Sequence, residues 1–320
     1  MPTVIKNALR ALIFVLGLVL MLFLLSKAFS PAEGTIADGV HSIESNGIYA
    51  EAENSIDVIF LGDSVVYSGI SPLQIWSEYG IPTYCCSTSA QKLWYTEDML
   101  RKAFSCQSPK LVMMEADALF SKFNFDDSAM HKAEGVLPIF KYHDRWKQLA
   151  RQATGDKSNE RTAEDYKGYR LNFKNKPAAN TGYMKQKLKI ETLPSRNRSY
   201  FKKIKDYCEE HGARLVLFSC PNTKHWNNAR HKEIAKLADE YGLDFIDLNT
   251  LTKDVSIDWS RDTRDGGDHL NYYGAAKATA YLGKYLNSLG SFADRRRDPE
   301  YQSWNDDVEG FLEIIAKKTK

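Results

Sequence analysis

The 320-residue sequence contains no CxxC pair and no Cys/His cluster with zinc spacing; its five cysteines are Cys85, Cys86, Cys106, Cys208 and Cys220. A structural metal is therefore not expected. Cys85, Cys86 and Cys220 fall in or at the ends of apolar runs and read as packing residues, while the odd count leaves at least one thiol free. An excess of charge of one sign is also missing. Lys plus Arg (43) nearly balance Asp plus Glu (41), for a net charge of +2, which lacks the basic footprint of a nucleic-acid binder. The densest basic cluster, Arg295-Arg296-Arg297, lies between Asp294 and Asp298 and reads as a solvated turn. There is no internal repeat, no low-complexity tract and no glycine-rich phosphate loop after the first strand-like run, so no nucleotide or other cofactor is expected.

Long hydrophobic runs are absent except at the N-terminus. Lys6 and Arg10 precede an uncharged apolar stretch at 11–25, followed by Ser26-Lys27. The stretch is short for a spanning helix, but Leu9 and Ala28-Phe29 extend it once Arg10 and Lys27 reach for the headgroups. The positive N-terminal flank predicts that the bulk of the chain lies outside the cytoplasm, at the cell membrane on a single anchor. Ser26 and Ala28 also suit signal peptidase, so secretion after cleavage is the alternative; the length of the run favours the uncleaved anchor.

Residues 30–54 form a polar connector. Beyond it, short apolar runs at 58–61, 82–86, 111–115, 214–219 and 245–248 alternate with helical spacing at 96–104, 200–211, 229–241 and 274–286, the pattern of a parallel α/β sheet covered on both faces. The stretch from about 120 to 195 breaks this rhythm. Its charge and its aromatics (Phe123, Phe125, Tyr142, Trp146, Tyr166, Tyr169) mark an insertion in a domain spanning 55–290. Residues 291–320, with Trp304 and Phe311, read as a C-terminal helical tail.

Two places can carry chemistry. Asp57-Val-Ile-Phe-Leu-Gly62-Asp63-Ser64 is a buried strand that stops at a glycine and delivers a serine to the carboxyl edge of the sheet, where α/β proteins bind ligands. Far downstream, Asp262-Thr-Arg-Asp265-Gly-Gly-Asp268-His269-Leu270-Asn271 puts an imidazole among carboxylates, just before a helix. A nucleophilic serine needs such an imidazole to take its proton and a carboxylate to orient the ring. The alternative is that Ser64, like Asp63, merely caps the following helix, and that Asp268 or Asn271 caps the downstream helix while His269 packs. The other histidines (His41, His131, His143, His211, His225, His231) have no comparable setting and read as surface residues.

Together these segments resemble the SGNH/GDSL hydrolase superfamily, in which the serine follows the first strand and an Asp-x-x-His pair precedes the last helix. More narrowly, Val-Ile-Phe-Leu-Gly-Asp-Ser with Gly69-Ile-Ser-Pro72, and Asp-His-Leu-Asn with Tyr-Gly-Ala, resemble membrane-anchored members of teichoic-acid D-alanyl transfer and polysaccharide O-acetylation systems. The resemblance spans 57–286. It implies a flavodoxin-like three-layer α/β/α sandwich with a parallel sheet, to which the N-terminal transmembrane helix and the mid-chain insertion are added. It implies Ser64 as nucleophile and His269 as general base. Gly266 stands where the family has its aspartate, which leaves Asp265 ahead of Asp268 as the third member. The family's oxyanion glycine and asparagine are replaced by Ser87-Thr-Ser89-Ala90 and Glu115-Ala-Asp117. The Ser64 N–H, the Ser89 loop, Asp63 and Asn271 are then the candidates for oxyanion or substrate contact. The implied activity is ester hydrolysis or O-acyl transfer on acyl esters of cell-envelope polysaccharide, with a multi-spanning membrane acyltransferase as a possible partner. The alternative is a degenerate member that binds or assembles.

Overall fold

A computed structural model of the chain describes residues 3–31, 43–122, 125–143, 145–154, 166–185 and 191–319. His41, Phe123 and parts of the expected connector and insertion lie outside them, as does the Phe125 side chain. In chain order the helices are α1 (Thr3–Phe29), α2 (Ile43–Asn46), α3 (Ser64–Gly69), α4 (Pro72–Tyr79), α5 (Leu93–Cys106), α6 (Phe125–Val136), α7 (Ile139–Tyr142), α8 (Arg145–Ala153), α9 (Ser195–Glu210), α10 (Asn228–Tyr241), α11 (Tyr272–Ser288) and α12 (Gln302–Thr319). The strands are β1 (Val58–Gly62), β2 (Thr83–Ser87), β3 (Leu111–Glu115), β4 (Arg214–Ser219) and β5 (Asp244–Asp247). Two compact units result: residues 1–43 with 122–162, and residues 44–121 with 163–320. The aromatic-rich stretch at 120–195 thus divides between them.

In the larger unit the five strands are all parallel in the order β2-β1-β3-β4-β5, the flavodoxin-like arrangement with its switch point between β1 and β3. Side chains alternate between the two faces of the sheet. Val58, Phe60, Cys85, Met113, Val216 and Phe218 pack with Val66, Ile75, Leu282 and Leu286 of α3, α4 and α11. The intervening residues, including Ile59, Leu61, Val112, Met114 and Leu217, are equally buried, beneath the layer of α5, α9 and α10 that packs on the strands. Burial on both faces explains why the strands read as continuous apolar runs rather than alternating ones. The three-layer α/β/α sandwich expected from the sequence is therefore present.

The C-terminal helix α12 closes one side. Trp304 and Tyr301 pack on Trp76 of α4 with ring centroids 5.1 and 5.4 Å away. Arg295 departs from the solvated turn expected of the basic run, for it pairs at 3.1 Å with Asp57, a buried carboxylate just before β1. Buried Lys167 ties three distant segments together: its ammonium lies 2.8 Å from Glu51 and 2.7 Å from Asp307 and 4.5 Å from the Trp304 ring centroid. All five cysteines are free thiols, and Cys85, Cys86, Cys208 and Cys220 are buried; burial pushes all four thiols up.

The smaller unit consists of α1 with α6, α7 and α8. α1 is the one helix among the described residues long and apolar enough to cross a membrane.

Candidate active site

Ser64 is the first residue of α3, directly after β1 and Asp63. Asp63 ends the strand in extended geometry and caps the helix, its Oδ1 accepting from the Val65 N–H at 3.0 Å. The Ser64 side chain thereby stands at the carboxyl edge of the sheet, beside the switch point.

His269 reaches it from a loop 205 residues away, with Nε2 2.7 Å from Ser64 Oγ. On the other side of the ring, Nδ1 lies 2.6 Å from Asp265 Oδ2, and the His269 backbone N–H donates to Asp265 Oδ1 at 2.8 Å. An ionised carboxylate only accepts, so Nδ1 carries the ring proton and Nε2 is left to accept from the serine hydroxyl. Burial pushes the Asp265 carboxyl up, but the two His269 donors and the nearby Arg264 outweigh it, and the net shift is downward.

The loop geometry explains how an aspartate four residues back meets the ring. Gly266 and Gly267 take φ values of +84° and +93°, a left-handed turn open to glycine that folds Asp265 back over His269. At Gly267 a Cβ would also stand 2.0 Å from Thr223 Oγ1. Thr263 Oγ1 locks the turn by accepting from the Gly267 N–H at 2.8 Å and donating to the His269 carbonyl at 2.9 Å. A strap at 166–178 holds the loop from outside through Lys176 N–H to Thr263 O (3.0 Å) and Gly266 N–H to Lys176 O (2.9 Å).

Asp268 faces elsewhere. Its nearest approach to His269 Nδ1 is 3.8 Å, beyond hydrogen-bond range, and its Oδ1 accepts from Asn222 Nδ2 at 3.2 Å and lies 3.4 Å from His225 Nε2. Asn271 caps α11, accepting from Tyr273 and Gly274 N–H while its amide donates to the Lys174 and Arg261 carbonyls; its hydrogen-bonding capacity is spent on those bonds. Ser89 is exposed, with Oγ 2.9 Å from the hydroxyl of Tyr67, which lies one helical turn after Ser64. Among the histidines read as surface residues, His225 lies 3.4 Å from Asp268, and half-buried His231 lies 2.7 Å from buried Asp247.

Sequence reasoning named Asp63 as a candidate contact and Glu115-Ala-Asp117 as a segment of the oxyanion region, but it did not find the Arg230 that pairs there. Glu115 ends β3, fully buried, and accepts from the Asp117 N–H at 2.7 Å. Burial, reinforced by Asp117 and Asp63, holds its carboxyl well above the usual range. Burial also raises Asp117, partly offset by Arg230, whose Nη1 lies 2.6 Å from Asp117 Oδ1. Asp63 is pushed up to about 6, by burial first and with Asp117 adding to it against the Val65 N–H. The position of Glu115 and Asp117 after a β-strand was the available signal; the Arg230 pairing, 113 residues away, left none.

Asp265, Asp268 and His269 form the one group among the described residues whose ligand atoms cluster closely enough for a metal ion, all within 4.8 Å. The Nδ1–H that joins His269 to Asp265 occupies the same atom a metal would need, so the hydrogen-bonded arrangement and metal ligation by Nδ1 exclude one another.

No family model matches the sequence, and no curated protein matches it. Solved structures do match: a GDSL-like lipase from Bacteroides thetaiotaomicron at 12% identity and TM-score 0.40, covering 78% of this chain and 98% of that one; a lipase/acylhydrolase from Enterococcus faecalis at 11% and 0.40, covering 73% and 96%; and an acetyl xylan esterase at 15% and 0.38, covering 73% and 99%.

Proposed function

We propose that the chain is an SGNH-type serine esterase or O-acyltransferase, anchored by α1 at the outer face of a membrane and acting on acyl esters of cell-envelope polysaccharide. The observation that carries this is the unbroken hydrogen-bond relay from Asp265 through His269 to Ser64 at the carboxyl edge of the sheet. Ser64 Oγ attacks the ester carbonyl as its proton passes to His269 Nε2. Asp265 stabilises the resulting imidazolium and keeps the ring oriented. The oxyanion faces the Ser64 backbone N–H, a donor left over at a helix start. Collapse expels the alcohol, which takes the proton from Nε2, and leaves an acyl-Ser64 ester. Water or a sugar hydroxyl then attacks that ester as its proton passes to Nε2, and collapse expels Ser64 Oγ, which takes that proton back and releases the acid or the new ester. The anchor is supported by the apolar helix, and the glycan by the sequence resemblance.

A specific observation favours a second reading, a binding or assembly factor for a membrane acyltransferase. The end of β3 and the turn after it, where the resemblance implies an amide donor for the oxyanion, carry Glu115 and Asp117 instead. Labelling with a fluorophosphonate probe and hydrolysis of an aryl acetate separate the two. The esterase reading expects labelling at Ser64 and its loss, with activity, in Ser64→Ala; a folded wild-type protein that neither labels nor hydrolyses makes the second reading the right one.

A further inference from the structure

We infer that α6, α7 and α8, together with the end of α1, form a collar lying in the membrane–water interface, whose partner is the headgroup layer of the lipid bilayer. This rests on the reading of α1 as a retained anchor and adds a second membrane contact to it.

The collar is built onto the end of α1. That helix is 27 residues long, about 40 Å at 1.5 Å per residue, against a hydrocarbon thickness of about 30 Å. Its large apolar residues through Leu24 are largely exposed, and its one buried residue is Ser26. Ser26 Oγ accepts from the Ile139 N–H at the start of α7, at 3.1 Å. Arg145, which opens α8, donates to the Phe29 carbonyl at 2.9 Å and so satisfies one of the carbonyls a helix end leaves free. Ile139 and Tyr142 are buried. The contact therefore falls where a spanning helix leaves the hydrocarbon.

The collar carries large apolar side chains that its own helices leave exposed. With the whole chain present, Val136 is 76% exposed, Trp146 52%, Met130 51% and Phe140 38%. Four large apolar residues exposed within seventeen positions do not suit contact with water. They do suit an interface, where tryptophan is favoured for its apolar ring and polar N–H. Over 125–154 Lys132, Lys141, Arg145, Lys147 and Arg151 stand against Asp126, Asp127, Glu134 and Asp144, and the basic excess lies at 137–154, where Asp144 is the one acid, the charge that anionic headgroups attract. The same contacts bear on signal cleavage, because Ser26 to Ala28 are helical and Ser26 is engaged by the collar.

The test uses the full-length protein in proteoliposomes of phosphatidylcholine with and without bromine-labelled acyl chains near the headgroup. α1 contains no tryptophan, so quenching does not report the anchor itself. The collar predicts that brominated lipid quenches wild-type emission and that Trp146→Phe loses at least half of the quenchable signal. Quenching equal in both proteins, or absent from both, overturns the inference. A protein that stays membrane-bound in alkaline carbonate without Trp146 quenching retains the anchor reading and loses only the collar; a mature N-terminus after Ala28 overturns both. A face shaped for a protein partner leaves Trp146 unquenched in a bilayer that contains this protein alone.

Discussion

Replacing Asp265 by asparagine tests the relay at its most specific point. The carboxylate makes two bonds to one residue: Oδ2 accepts from the His269 ring at 2.6 Å and Oδ1 from the His269 backbone N–H at 2.8 Å. Both partners donate, so both oxygens must accept. An asparagine has one acceptor and one donor end. If its oxygen serves the backbone N–H, its NH₂ faces Nδ1 and forces the proton to Nε2, which can no longer accept from Ser64. If it flips, two N–H groups face each other at the backbone. Either way the productive arrangement is disfavoured, and where such a substitution leaves the geometry otherwise intact the loss is roughly 10³- to 10⁴-fold, or about 4 to 5.5 kcal/mol of barrier. Asp268→Asn is the control. At 3.8 Å from Nδ1 its side chain holds no proton on the ring, and a loss within about tenfold is expected, an effect of altered charge. The assay is kcat/KM for an aryl acetate, with thermal melts to show that both variants fold. If Asp268→Asn falls as far as Asp265→Asn or further, the assignment of the third member is wrong.

Other expectations follow from the same geometry. Gly267→Ala places a Cβ 2.0 Å from Thr223 Oγ1 at a φ of +93°. It should destabilise by about 1–3 kcal/mol and lower turnover, whereas Gly266→Ala, with no atom nearer than 3.7 Å, should cost about 1–2 kcal/mol from backbone strain alone; wild-type melting of both variants would show that the turn is not needed. Asp63→Asn keeps an oxygen for the Val65 N–H but removes the titration. Because the folded carboxyl is raised from 3.8 to about 6, the folded state holds this proton more tightly than the unfolded chain. Stability from this group is then full below pH 4 and is lost as pH rises through 6, by up to roughly 3 kcal/mol. Urea unfolding at pH 4 and pH 8 should show a smaller fall in the variant than in the wild type; equal falls refute the account.

The sheet was legible because β1 to β3, and β4 beyond Arg214, are buried on both faces and so appear as apolar runs. The first two helices of the α/β unit were not. α3 is six residues, Ser-Val-Val-Tyr-Ser-Gly, and its paired valines carry no helical period; it is helical because Asp63 caps it and Val65 and Val66 pack into the core. Ser64 and His269 stood out because chemistry restricts which residues can follow the first strand and precede the last helix. The pairing of Asp117 with Arg230 did not, since no local pattern encodes a contact between residues so far apart in the chain.

The spacing of the acid and the histidine is the point at which sequence and structure bear most directly on each other. A motif with two residues between aspartate and histidine stands in for a distance between a carboxylate and Nδ1. Here three residues intervene, and the distance is still 2.6 Å. The added length is absorbed because Gly266 and Gly267 both turn left-handed, which sends the chain away from the sheet and back, while Thr263 bridges the turn from Gly267 N–H to His269 O. The carboxylate that keeps sequence adjacency, Asp268, is held away by Asn222 and His225. A search for the strict spacing would reject this chain or choose the wrong aspartate. A rule that allows one more residue when two consecutive glycines lie between the acid and the histidine would find Asp265, for a reason stated in backbone angles.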